Sequence, residues 1–390
     1  MPPTRLRSLA LAAALLAVAG CETAPDTLAA RRRATADKDH VLLDYRTAAT
    51  AMRTDKFDDA RARLDDAILT IGGILANSAD AARARSLFSS EREKTFIGEP
   101  YERVMAYYYR GIIYWQDGQP DNARACFRSG QLIDGDTENA RYRSDYVLLD
   151  YLDGLASVKL AADGTDALAR AQANAAPRHL ALPPYDPEAN VFVFAEFGRG
   201  PRKLAGGKNG ERLLYDVEDS PTASARLTFP DGAAVPLPAY DDLNFQAITR
   251  GGRVMDGILA NKADFKRGAD TFGNAALVGA AIAHTNARSR ERQGRDGDSS
   301  ELTALGLGLI GLIGKAAASA TETHADTRQW DNLPQRLSFA ALRLAPGDHP
   351  ALLQFCDREG HVLEARTRRV TLTVAPAPRD TVVFFSELKR

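Results

Sequence analysis

The sequence predicts an α+β chain: helical hairpins in the N-terminal half, then a β-sandwich carrying an inserted helical hairpin. Two observations carry this. Between Gly98 and Asp134 apolar and aromatic residues recur at helical spacing through Met105, Tyr108, Ile112 and Trp115, and Gly118 and Pro120 cut the pattern. Beyond Pro177, Pro183, Pro184 and Pro187 the period changes to short runs dense in β-branched and aromatic residues. At 390 residues the chain can hold two cores, and 45% hydrophobic with 26% charged residues is an ordinary globular balance. A net charge of −1 excludes the basic footprint of a nucleic-acid binder. Three cysteines exclude a disulfide-dense scaffold.

At the N-terminus Arg5 and Arg7 precede an apolar run from Leu9 to Ala19, too short to remain as a membrane helix. The run closes on Val18-Ala19-Gly20-Cys21. Small residues ahead of a cysteine at that point resemble the lipobox of bacterial lipoproteins. The resemblance implies a signal peptide over residues 1–20, a lipid on Cys21 and membrane contact through that anchor. Glu22, where an Asp would imply inner-membrane retention, implies the outer membrane of a Gram-negative envelope, facing the periplasm. Residues 21–39, with Arg31-Arg32-Arg33 and no apolar period, predict a tether.

Residues 40–176 predict stacked helical hairpins. In the central one Asp121 stands where an N-cap is wanted for the second helix. The order Gly111, Tyr114, Gly118, Ala123, Phe127 resembles the tetratricopeptide repeat. In that register Ala60 of the first hairpin takes the place of Ala123, with Phe57, Leu64 and Ala67 at packing positions and Ala48 and Ala51 replacing the usual Gly and Tyr. Ile71-Gly72-Gly73 predicts a helix stop, and residues 79–95 an additional helix. Gly154 is the counterpart of Gly111 in a third hairpin, whose second helix near Asp166–Ala173 is out of register by a few residues. The resemblance implies a concave groove for partner proteins, lined by Tyr45, Tyr108 and Tyr151 at one equivalent position and by Ile112, Trp115 and Gln116. Packing of those tyrosines against a neighbouring helix is the competing reading.

Residues 188–390 predict the sandwich, of immunoglobulin-like or transthyretin-like build. Its strands are NVFVFAEFG, apolar on both faces like a central strand, then RLLYDVED, SARLTFPDG, RLSFAALRL, ALLQFCD, VTLTV and TVVFFSEL. The insertion spans about 241–330, with a mixed helical stretch (Asp241–Gly268), an apolar helix (Thr271–His284), a charged loop and the glycine-rich Leu302–Ala320. The two long helices are expected to pack on each other through glycine and alanine rather than to enter a bilayer. Trp330 is expected to plug the second of them onto the next strand. Cys126 and Cys356 fall in different halves, which predicts no disulfide.

No catalytic constellation emerges. None of the six histidines has metal-ligand spacing, and no nucleophile elbow is present, so no enzyme, cofactor or metal is expected. The glycine-rich stretch 198–212 fails as a phosphate loop because Asn209 replaces the required Ser or Thr. Its Arg199, Arg202, Lys203, Lys208 and Arg212 predict a solvated hairpin loop, with an anionic glycan as the alternative ligand. The expectation is a lipid-anchored periplasmic scaffold that binds envelope proteins through its repeats. The alternative is a peptidoglycan-binding module acting through the sandwich.

Overall fold

The computed structural model describes residues 27–76, 95–135, 140–206, 212–250 and 325–388, which form a mixed α and β structure. Among them six α-helices precede the first strand and pack in sequential pairs. These are α1 (Thr27–Arg53) with α2 (Phe57–Ala76), α3 (Pro100–Gln116) with α4 (Pro120–Asp134), and α5 (Val147–Lys159) with α6 (Thr165–Ala175). Glycines set the close approach within two pairs. A Cβ on Gly111 would lie 2.5 Å from the Phe127 ring, and one on Gly154 would lie 2.7 Å from Leu168. Leu168 sits two places earlier relative to its glycine than Phe127 does, so the third pair meets in a shifted register.

Three boundaries differ from the sequence reading. Helix α1 starts at Thr27, inside the stretch read as a tether, because its alanines and arginines are good helix formers even without an apolar period. Helix α2 runs through Gly72 to Ala76, since one exposed glycine costs only about 1 kcal/mol in a helix held by packing elsewhere. Pro120 opens α4, with Gln119 as N-cap, so Asp121 falls in the first turn. Its charge still meets the positive end of the helix dipole there.

Two four-stranded sheets follow. The first has the order β10-β1-β7-β6, with β1 (Val191–Arg199) parallel to β10 (Thr381–Ser386) and antiparallel to β7 (Pro334–Leu342), and with β6 (Asp241–Asp242) at its far edge. The second has the order β5-β4-β8-β9, built from β4 (Ser224–Thr228), β5 (Ala234–Pro238), β8 (Gly347–Cys356) and β9 (Arg368–Val374). A separate hairpin joins β2 (Arg202–Gly206) to β3 (Arg212–Asp216). Strand β5 escaped the sequence reading because Pro236 and Pro238 lack the amides of a ladder. An edge position tolerates them, and β5 is an edge strand. The short helix α7 (Leu243–Arg250) follows β6, so the expected insertion opens with a strand of the first sheet. The rest of that insertion up to residue 324, where two long helices were expected, lies outside the described residues, as do residues 79–94 and Cys21.

Strand β1 is interior, as its composition predicted, and its period of two sorts the layers. Val191, Val193, Ala195 and Phe197 join Leu227, Leu237, Leu353, Phe355 and Leu372 in an apolar layer between the two sheets. Phe192 and Phe194 turn to the other side, where with Leu337, Phe339 and Phe384 they pack on the helices. One apolar cluster therefore runs continuously from Val41 of α1 to Phe384 of β10. Each large side chain buried in it contributes about 1.5–3 kcal/mol. No helix among the described residues is long and apolar enough to cross a membrane.

Candidate functional site

The residues expected to line a groove lie on helices α1, α3 and α5, and they are covered by the chain's own first sheet and by the segment that leads into β7. Tyr45 stacks on Trp330 with ring centroids 4.3 Å apart. Tyr108 meets Phe194 edge-on at 6.2 Å, Trp115 leans on Phe192 at 4.7 Å, and Tyr151 on Phe339 at 5.7 Å. Ile112 is in the same cluster, and none of the five is more than 1% exposed. The three tyrosines are thus buried rather than lining an open groove, Tyr108 and Tyr151 against phenylalanines of the first sheet and Tyr45 against Trp330 and Phe96. Only Gln116 is half-buried. Trp330 is a plug, but its socket among the described residues is helical: Tyr45 on α1 and Tyr109 on α3.

Charged groups stitch the layers at three points. Glu196, facing the helices from β1, accepts from Arg53 Nε at 2.6 Å, Tyr109 Oη at 2.5 Å and Ser386 Oγ at 2.6 Å. Burial first, then the Glu196 charge, holds the Tyr109 phenol well above its usual range, so it stays a donor. Glu102 in the first turn of α3 takes Lys203 Nζ at 2.5 Å, the Trp330 amide at 2.6 Å and the Glu99 amide at 2.7 Å. Asp241 of β6 receives the amides of Val147 and Leu148 at 2.9 Å each, capping α5 from another element because Tyr146 at the N-cap offers no side-chain cap. These carboxylates are saturated with donors, an arrangement that holds elements together rather than leaving a group poised for proton transfer.

Accessible polar groups gather instead where the helices meet the open side of the two sheets. A cleft of about 390 Å³ is lined there by Arg53, Asp55 and Phe57 at the α1–α2 turn, Gln116 at the end of α3, Arg368 to Thr371 of β9, and Val382 to Ser386 of β10. Gln116 is the one expected groove residue that reaches it. Arg53 Nη2 and Gln116 Oε1 are buried and have no hydrogen-bond partner. The loop between β9 and β10 is tied to the helices beside it. Arg379 donates to the Gln116 carbonyl at 2.8 Å, and Asp380 accepts from Trp115 Nε1 at 3.1 Å and Lys159 Nζ at 3.0 Å. Sequence reasoning missed this site because its lining comes from five separate stretches, Leu353 of β8 included. The dipeptide Arg368-Arg369 ahead of an apolar strand was its one local signal.

Other candidates are structural. Asp357, Glu359 and His361 bring ligand atoms within 4.8 Å of one another, but in an exposed turn closed by the His361 amide on Asp357 at 2.8 Å. Cys126 and Cys356 are free and buried, and burial pushes the Cys126 thiol up to about 12, which keeps it unreactive. Within the basic stretch 198–212, Lys203 is buried against Glu102 and Arg202 pairs with Asp216 at 2.7 Å, so residues 202–206 form a strand where a solvated loop was expected, and residues 207–211 lie outside the described residues. Compared with protein-family models, curated proteins and solved structures, the chain has no significant match.

Proposed function

We propose that this chain is a lipid-anchored protein of the bacterial envelope that binds other proteins and catalyses nothing. On this reading the three helical pairs are repeats of tetratricopeptide type and the stacked sheets are a β-sandwich. The lipid on Cys21 holds the body to the outer membrane on its periplasmic side. The Val18-Ala19-Gly20-Cys21 sequence supports the anchor, and the glycine-set contacts of Gly111 and Gly154 support the repeats. Because the sheet occupies the inner helical face, partners bind elsewhere. The observation that carries the reading is the cleft beside β10, whose lining includes Arg53, with a buried donor left unused, and Gln116, with a buried acceptor left unused. A glycan ligand on the basic stretch has less support, since Lys203 and Arg202 are already engaged.

The anchor and the binding are tested together in the membrane fraction. Metabolic labelling with a palmitate analogue should mark the wild type, and Cys21→Ser should abolish the label and release the protein. Crosslinking of the lipidated chain in envelope vesicles should yield protein adducts, whereas sedimentation with purified peptidoglycan should not deplete it. An unlabelled wild type, or co-sedimentation with peptidoglycan and no protein adducts, would overturn the reading.

A further inference from the structure

We infer that the cleft takes an extended acidic peptide segment of a partner protein, added as a strand to the outer edge of β10. This rests on the partner-binding reading above and names the partner's chemistry.

The first argument is the edge itself. Strand β10 ends its sheet and has only β1 beside it among the described residues. The Thr381 amide donates to the Asn190 carbonyl at 2.8 Å, and the Glu387 amide to the Glu196 carbonyl at 2.9 Å. Parallel pairing engages alternate residues, so Thr381, Val383 and Phe385 turn their main chain to β1. Those of Val382 and Phe384 turn outward, toward the cleft that both residues line. At Ser386 the outward carbonyl is taken by Arg368 Nη1 at 2.7 Å, which ends the open stretch.

The second argument is the unpaired polar groups. Arg53 Nη2 is a donor and Gln116 Oε1 an acceptor, the complement of the carbonyl and amide of a peptide unit. A buried group without a partner is costly, so at this place a ligand that brings hydrogen-bonding groups is favoured over an apolar one.

The third argument is charge. The lining holds Arg53, Arg368 and Arg369 against Asp55. Glu196 answers the Arg53 charge, but Arg369 is exposed and makes no ion pair among the described residues. An acidic side chain of the added segment meets it, while apolar side chains cover Val370, Val383 and Phe385, which line the same cleft.

Fluorescence anisotropy on the full chain in detergent tests this with three labelled probes. One is an acetylated hexapeptide alternating valine and glutamate, one its valine–lysine counterpart, and one the glutamate peptide with alternate main-chain amides methylated. The first should bind at least about tenfold more tightly than the other two. Arg369→Glu should weaken it about tenfold, as should Val382→Pro, which deletes one outward amide without touching the ladder to β1. Arg369 is exposed, so its variant should keep the parent's circular dichroism and melting temperature. Equal binding of the glutamate and lysine peptides, equal binding of the methylated peptide, or unchanged affinity in Arg369→Glu overturns the inference. Crosslinking in envelope vesicles separates this from the broader reading. If Arg369→Glu loses peptide binding but keeps every envelope adduct, the cleft is not the partner site and the partner-binding reading stands. If the peptide binds as expected and the lipidated chain yields no adducts, the cleft stands and that reading fails.

Discussion

At the scale of single residues, the buried carboxylates differ in how well their environment supports charge. Glu196 and Glu102 each have three donors, and Glu99 does not. Burial, the largest cause, raises the Glu99 carboxyl from 4.5 to about 7, with Lys203 opposing and the Glu102 charge adding to it. Between these values the folded chain holds a proton that the unfolded chain has released. Stability should therefore fall as pH rises from about 4.5 to about 7 and level off above, by an amount on the order of 3 kcal/mol. Chemical denaturation across that range should show the slope in the wild type, and Glu99→Gln should flatten it. An unchanged slope in the variant would remove Glu99 as its source. The sequence offered one hint of such chemistry: Glu196 stands alone in NVFVFAEFG, a strand read as apolar on both faces. A carboxylate there demands partners. That they would be Arg53, Tyr109 and Ser386 was not legible, because they lie far away in the chain and only the packing of α1, α3 and β10 brings them together.

At the scale of elements, the ion pair of Arg53 and Glu196 fastens α1 to β1 in a site only 7% and 1% exposed. Removing one partner strands the other charge, whereas removing both restores an apolar contact. Glu196→Gln, which keeps acceptor and donor capacity for Tyr109 and Ser386, should cost about 3 kcal/mol by leaving Arg53 buried and unpaired. Adding Arg53→Met should recover most of that loss, a coupling that a double-mutant cycle reads directly. Strictly additive effects would show that the pair fastens nothing. Most helices and seven strands were readable from periodicity and turn residues. The exceptions have local causes. Proline hid β5, glycines and cations made β2 look like a loop, and Asp241-Asp242 is too short to show any period. Asp241 owes its role as the cap of α5 entirely to tertiary placement.

At the scale of the molecule, the helical pairs and the first sheet share an interior. Exposed aromatic residues often line protein-binding faces, and here Tyr45, Tyr108 and Tyr151 instead meet phenylalanines of β1 and β7 and the indole of Trp330 in the same chain. The resemblance to a repeat family implied one face for Tyr45, Tyr108, Tyr151, Ile112, Trp115 and Gln116. What covers that face depends on where the strands dock, information spread over residues 191 to 386. Helices and sheet that bury one another's largest side chains should lose structure together. The direct test is thermal unfolding of the chain lacking residues 1–21, followed by calorimetry, far-ultraviolet circular dichroism for the helices and tryptophan fluorescence for Trp115 and Trp330. A single transition with coincident midpoints is the expected result. A helical transition separated from that of the sheet, with the indoles exposed while the strands remain folded, would contradict a shared core.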